Sequence, residues 1–145
     1  MPIDITEYAD AINNALADGT FCVVATHGSD GIPDVGFKGS MMVFDTDHLA
    51  YWERTRGGHL ANLRREPGVA VLYFNRGRGK HLRFFGRAEL YEDGPIREQI
   101  MARTVPAELD RDPERAGIGV LIRVDTVEDA YARSTQRREQ EANPR

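Results

Sequence analysis

Val69-Ala70-Val71-Leu72-Tyr73-Phe74, the loop Arg76-Gly77-Arg78-Gly79-Lys80 and the run His81-Leu82-Arg83-Phe84-Phe85-Gly86-Arg87-Ala88-Glu89-Leu90-Tyr91 together decide the fold class. The first run is strongly β-prone and reads as a buried strand. The second is a basic, flexible hairpin loop. The third alternates with a period of two: Leu82, Phe84, Gly86, Ala88 and Leu90 share one face, and His81, Arg83, Phe85, Arg87 and Glu89 the other. Two such runs joined by so short a loop form an antiparallel hairpin.

The same pattern extends outward in both directions. Phe21 to Thr26 is apolar on both faces, which predicts a central strand, and Asp30-Gly31 is a hairpin signal. After Pro33 the chain reads as one long strand. Val35, Phe37, Gly39, Met41 and Val43 fall on one side, and Gly36, Lys38, Ser40, Met42 and Phe44 on the other, so Lys38 and Ser40 share a face. Asp45-Thr46-Asp47 is a polar turn whose carboxylates are turn residues and not an acid/base pair. Leu49 to Glu53 is a further strand, and Gly119 to Val124 a last one, continuing towards Tyr131. Helices are predicted from Asp4 to a stop at Gly19, from Gly58 to Glu66 before Pro67-Gly68, and from Gly94-Pro95 to Arg103; Ala107 to Arg115 reads as a short helix and loop. The sum is a mainly β, six-stranded antiparallel barrel with a few peripheral helices.

Length and composition set the outer limits. At 145 residues the chain accommodates one domain, read as 1–132, followed by a charged tail, 133–145, expected to fray. A net charge of −4 argues against a general nucleic-acid binder. No apolar stretch approaches membrane-spanning length and no basic-then-apolar leader opens the chain, so a cytoplasmic location is the default expectation. Cys22, the single cysteine, reads as a small buried hydrophobe. The four histidines are too far apart for a local metal pair, and no zinc site is expected.

Arg54-Thr55-Arg56-Gly57-Gly58-His59-Leu60-Ala61-Asn62-Leu63 stands where a strand gives way to a helix. Two glycines let the backbone come close, the amides of a helix N-terminus point outward, and Arg56 and Thr55 add charge and a donor, a composition suited to phosphate. The plainer reading is a connecting loop with surface arginines.

Four pieces of the chain, in order, resemble the pyridoxamine 5′-phosphate oxidase-like, FMN-binding split-barrel family. They are Phe21 to Thr26 followed by Asp30-Gly31-Ile32-Pro33; Lys38-Gly39-Ser40; Asn62-Leu63-Arg64-Arg65-Glu66-Pro67-Gly68-Val69-Ala70-Val71; and Leu82 to Glu89 with its Gly86-Arg87-Ala88. The resemblance implies a six-stranded split barrel and a homodimer with FMN in a groove at the interface. It implies a phosphate held by Arg54, Thr55, Arg56, Gly57, Gly58, His59 and Asn62. Lys38, Gly39 and Ser40 would lie beside the flavin ring, and Lys80, His81 and Arg83 would add positive charge from the second subunit. The family places a lysine just ahead of its Asn-Leu pair, where this chain has Gly58 and His59. Arg54 or Arg56 can replace that charge; alternatively the site is weakened or takes another cofactor, such as a deazaflavin.

No catalytic residue is assigned, since neither a nucleophile elbow nor an acid/base dyad is visible. The leading function is an FMN-dependent oxidoreductase in which the cofactor exchanges hydride or electrons with a small-molecule substrate or donor. A flavin carrier without a substrate is the alternative, as is a deazaflavin- or haem-binding relative with His81 or His27 as nominal axial ligands. Oxidation of pyridoxamine phosphate itself is not expected, because the C-terminal segment that serves it has no clear match here.

Overall fold

The computed structural model describes residues 2–139. Eight strands form one antiparallel sheet: β1 (Cys22–His27), β2 (Pro33–Lys38), β3 (Met42–Val43), β4 (His48–Glu53), β5 (Gly68–Asn75), β6 (Lys80–Tyr91), β7 (Ile118–Asp129) and β8 (Ser134–Arg137). Their spatial order is β2-β1-β5-β6-β7-β4-β3, with β8 added alongside β7. β2 and β3 stand at opposite ends of that order, yet only Gly39, Ser40 and Met41 separate them. Three residues reach at most about 14 Å, whereas a flat path across seven strands is about 29 Å wide. The sheet must therefore curl until its ends nearly meet, and the fold is an antiparallel split β-barrel.

The expected single strand from Val35 to Phe44 is thus two strands divided at the barrel seam. Ser40 stitches the seam: its hydroxyl accepts the Trp52 amide at 3.0 Å and donates to the Trp52 carbonyl at 3.3 Å. Because β2 ends at Lys38, alternation does not carry Lys38 and Ser40 onto a common face. The second departure from the expected six strands is β8. Ser134–Arg137 pair with Asp129–Thr126, and Arg138 reaches Asp47 and the Val124 carbonyl. This part of the stretch read as a frayed tail is tied into the sheet; residues 140–145 of that reading lie outside the described residues.

The barrel interior is built from the inward rows of the strands. Cys22, Val24, Leu49, Tyr51, Val71, Tyr73, Leu82, Phe84, Val120, Ile122, Val124 and Val127 are buried there. A 3-10 turn (Thr6–Tyr8) and α1 (Ala9–Asn13) add Ile5, Tyr8, Ala11 and Ile12 to the same core. The helix is shorter than predicted, although Gly19, with φ +72°, does end the segment in the left-handed conformation that glycine favours. Burial pushes the Cys22 thiol up to about 12, so it stays protonated and inert.

On β7 the inward row changes parity. Phe85 pairs with Thr126 and Gly86 with Val124, leaving Asp125 as the extra residue of a β-bulge. Val124 and Val127 consequently both face the core. Below the bulge, β7 pairs with β4; above it, with β8. α3 (Gly94–Arg103) covers the outer face of β4 and β7, where Met42, Ala50, Trp52, Ile100 and Leu121 form a second apolar cluster. Among the described residues, nothing gives the outer face of β2, β1, β5 and β6 such a cover. Val69, Val71 and Tyr73 are buried as predicted for β5, but Leu72 and Phe74 on its other face are 38% and 46% exposed.

Candidate functional site

A cleft of about 210 Å³ opens at the seam end of the barrel. It is lined by Phe21, Phe37, Lys38, Gly39, Trp52, Glu53, Arg54, Thr55, Glu108 and Arg111. Four of the residues expected from sequence, Lys38, Gly39, Arg54 and Thr55, meet here. Lys38 is the last residue of β2, and its Nζ lies 2.6 Å from Glu53 Oε2 at the end of β4. Thr55 Oγ1 donates to the other Glu53 oxygen at 3.0 Å. The Glu53 side chain is only 2% exposed. One oxygen is paired with a charge and the other accepts a hydroxyl, which is the condition for keeping a carboxylate buried. Beneath the pair lies Tyr51, whose ring centre is 5.4 Å from Lys38 Nζ and whose phenol is held above its ordinary value by burial and by the Glu53 charge.

The outer wall comes from the segment after α3. α4 (Pro106–Leu109) carries Glu108, whose Oε2 lies 3.6 Å from Arg54 Nε. Asp112 anchors this segment to β4. Its carboxylate accepts the Trp52 indole N–H at 2.9 Å and the amides of Ala116 and Gly117 at 3.0 and 2.9 Å. Burial alone would push the Asp112 carboxyl up, but these donors and the Arg115 charge outweigh it and leave it below the usual carboxylate range. Asp112→Ala is expected to cost about 2 kcal/mol, since it leaves a buried indole N–H unpaired. A lowered folded value means that the stabilisation is present above the unfolded carboxylate range and is lost as pH falls through the folded one. Urea unfolding should accordingly show the wild-type advantage over Asp112→Ala narrowing in acid; an advantage constant with pH would contradict this.

The remaining residues of the expected phosphate segment are arranged around α2 (Gly58–Arg65). Gly57 is the N-cap residue and no side chain caps the helix, so its first-turn amides are open to an anion. His59 turns inward instead of towards the cleft. Its Nδ1 is 2.7 Å from Thr26 Oγ1, and its Nε2 is 4.0 Å from Asp34 Oδ1. Asn62 donates to Thr26 Oγ1 at 3.0 Å and Asp34 Oδ2 at 3.1 Å, and Arg65 reaches Asn62 Oδ1 and the His27 carbonyl. Arg56 has φ +49° and gives Nε and Nη2 to the Ala116 carbonyl. His59, Asn62 and Arg56 therefore brace the loop and do not line the cleft. Ser40 is committed to Trp52. Lys80 lies 6.0 Å from the Tyr8 ring centre, and Arg83 pairs with Glu128; neither lines this cleft within one chain.

Glu53, Glu108, Arg111, Phe21 and Phe37 line the cleft without having been singled out. Glu53 had a signal, being a carboxylate on the inward row of an otherwise apolar strand. Glu108 and Arg111 had none, because a four-residue helix and the turn after it are too short to carry a periodicity that aims their side chains.

The donor set suits a ligand with a phosphate and ring carbonyls. Lys38, Arg54 and Arg111 supply charge and Thr55 a hydroxyl. Gly39 leaves its backbone bare, since a Cβ there would stand 2.6 Å from Glu108 Oε1. Phe21 and Phe37, 6.1 Å apart edge to face, give the cleft an apolar lip that continues onto the uncovered sheet face.

A split barrel with a polar cleft at its seam defines a class of small β-barrel proteins. Within that class, the family model for pyridoxamine 5′-phosphate oxidase matches residues 8–130, and the chain belongs to this family. Among solved structures, a candidate pyridoxamine 5′-phosphate oxidase from Lactobacillus delbrueckii is 29% identical, with 86% of this chain and 93% of that chain covered at a TM-score of 0.65. An FMN-binding protein from Syntrophomonas wolfei shares the fold at 9% identity, with coverage of 85% and 86% and a TM-score of 0.63. An F420 reductase shares it at 16% identity, with coverage of 86% and 98% and a TM-score of 0.62. No curated protein matches the chain. Among the described residues, no helix is long and apolar enough to cross a membrane.

Proposed function

We propose that the chain is a flavin-binding oxidoreductase of this family, with FMN as its cofactor and a deazaflavin as the alternative. The observation that carries this reading is the convergence of Lys38, Arg54, Thr55 and Arg111 on one open cleft beside bare backbone at Gly39. Bound flavin supplies hydride or electron transfer. Arg54 and Arg111 offer guanidinium forks to a phosphate, and Lys38 places positive charge where a reduced ring gains negative charge. Phe21 and Phe37 offer the cleft's edge an apolar surface on which a flavin ring can rest.

The same reading makes the protein a homodimer. Ile32, Val35 and Phe37 are 66%, 65% and 70% exposed, and Leu72, Phe74 and Phe85 continue their apolar surface across β5 and β6. A second copy covering this face would bury it and close the cleft's open side, bringing Lys80 and Arg83 of that copy towards the ligand. An apolar patch of this extent is the kind of surface that association covers.

The test is an absorbance spectrum taken after adding FMN and removing the excess, paired with light scattering on a sizing column. Retained bands near ~450 and ~375 nm on a dimer are expected. A monomer that releases FMN but retains a deazaflavin would move the cofactor assignment to the latter. Rapid reduction of the bound flavin by a nicotinamide donor would favour an enzyme over a carrier.

A further inference from the structure

Three cations and two carboxylates face the cleft, and the two carboxylates are held differently. Glu53 is fixed, with one oxygen on Lys38 Nζ and the other on Thr55 Oγ1. Glu108 is held loosely. Its one ion pair among the described residues is with Arg54, at 3.6 Å, longer than a direct hydrogen bond. Its other oxygen rests over the bare Cα of Gly39. It stands on a four-residue helix that no side chain caps, after Pro106. Four residues on, Asp112 pins the segment to Trp52, so the Glu108 head can leave by rotating its own side chain while the wall stays in place.

We propose that Glu108 is a specificity-determining residue: its carboxylate occupies Arg54 in the ligand-free protein, and a phosphate-bearing ligand must displace it. This rests on the reading of the cleft as a flavin-phosphate site. The exchange is between two anions for one guanidinium. A phosphate can take that fork bidentately, whereas Glu108 holds only Nε at a distance, so the phosphate prevails. A ligand of the same ring system without phosphate gains nothing from the exchange. Arg111 stands on the same segment without an ion pair among the described residues, and is free to meet the incoming charge. Glu108 thereby sets how strongly the cleft distinguishes phosphorylated from unphosphorylated ligands.

The experiment measures FMN and riboflavin binding by fluorescence quenching on the wild-type chain, Glu108→Gln and Glu108→Ala. Inorganic pyrophosphate, read as a thermal shift, serves as a probe that needs no flavin. Removing the carboxylate should tighten FMN about three- to tenfold, the scale of a partly exposed ion pair, and leave riboflavin within about twofold. Equal FMN affinity in all three proteins, or a parallel gain for riboflavin, would overturn the assignment while leaving the flavin reading intact. If neither flavin binds any of the proteins, the flavin reading fails, and pyrophosphate alone decides about Glu108. A larger pyrophosphate shift in the variants supports the role, and an equal shift refutes it.

Discussion

Lys38→Met should lower the stability of the folded chain by about 3 kcal/mol, the scale expected when one partner of a buried ion pair is removed. Glu53 would keep only the Thr55 hydroxyl, in a site where its side chain is 2% exposed. The penalty is the uncompensated carboxylate and not the lost attraction, so a second change that removes the charge should recover most of it. Lys38→Met combined with Glu53→Leu is expected to lie within about 1 kcal/mol of wild type, because replacing both partners of a buried pair with apolar residues is often neutral. Urea titrations of the four proteins in the cycle would measure this. If the double variant is as unstable as the two single losses added together, the residues act independently and the ion pair is not what holds the seam end together.

Gly86→Ala should be the most damaging small substitution in the barrel, with a loss of about 4 kcal/mol or more. A Cβ at this position would stand 2.0 Å from the Arg123 carbonyl oxygen and 3.0 Å from its carbonyl carbon. Those are backbone atoms of the neighbouring strand, so no side-chain rotation relieves the overlap. Gly86 also pairs with Val124 beside the bulge at Asp125. Moving the strands apart there would disturb the parity change that keeps both Val124 and Val127 in the core. Soluble yield and thermal unfolding read the effect directly. A melting temperature within a few degrees of wild type would show that β6 and β7 separate more easily than their packing implies.

These two sites also mark how far the sequence could be read. Gly86 lies in an alternating run, and its place on the inward row was legible from period-two spacing alone. That a glycine is required there was not, because the carbonyl it meets belongs to Arg123. Lys38 was legible as a candidate in a family-like segment, but Glu53 as its partner was not. The segment from Arg54 to Asn62 shows the same division. Its position between a strand and a helix is legible in the sequence, while the directions of its side chains are not. Arg54 and Thr55 reach the cleft, whereas Arg56, His59 and Asn62 turn to Ala116, Thr26 and Asp34.

The strands, the hairpins, the antiparallel class and the interior rows follow from the chain itself, because the strand period and turn chemistry act over a few neighbouring residues. The break at Gly39-Ser40-Met41, the pairing of Ser134–Arg137 with β7, and the joining of Asp112 to Trp52 and of Glu108 to Arg54 were decided only by the tertiary structure. Each brings together groups from separate elements, and which elements meet depends on how the whole sheet curls to close its core. The uncovered row of Val35, Phe37, Leu72 and Phe74 belongs with these. Alternation tells that a row exists, but only the packed chain shows which face its own helices leave bare.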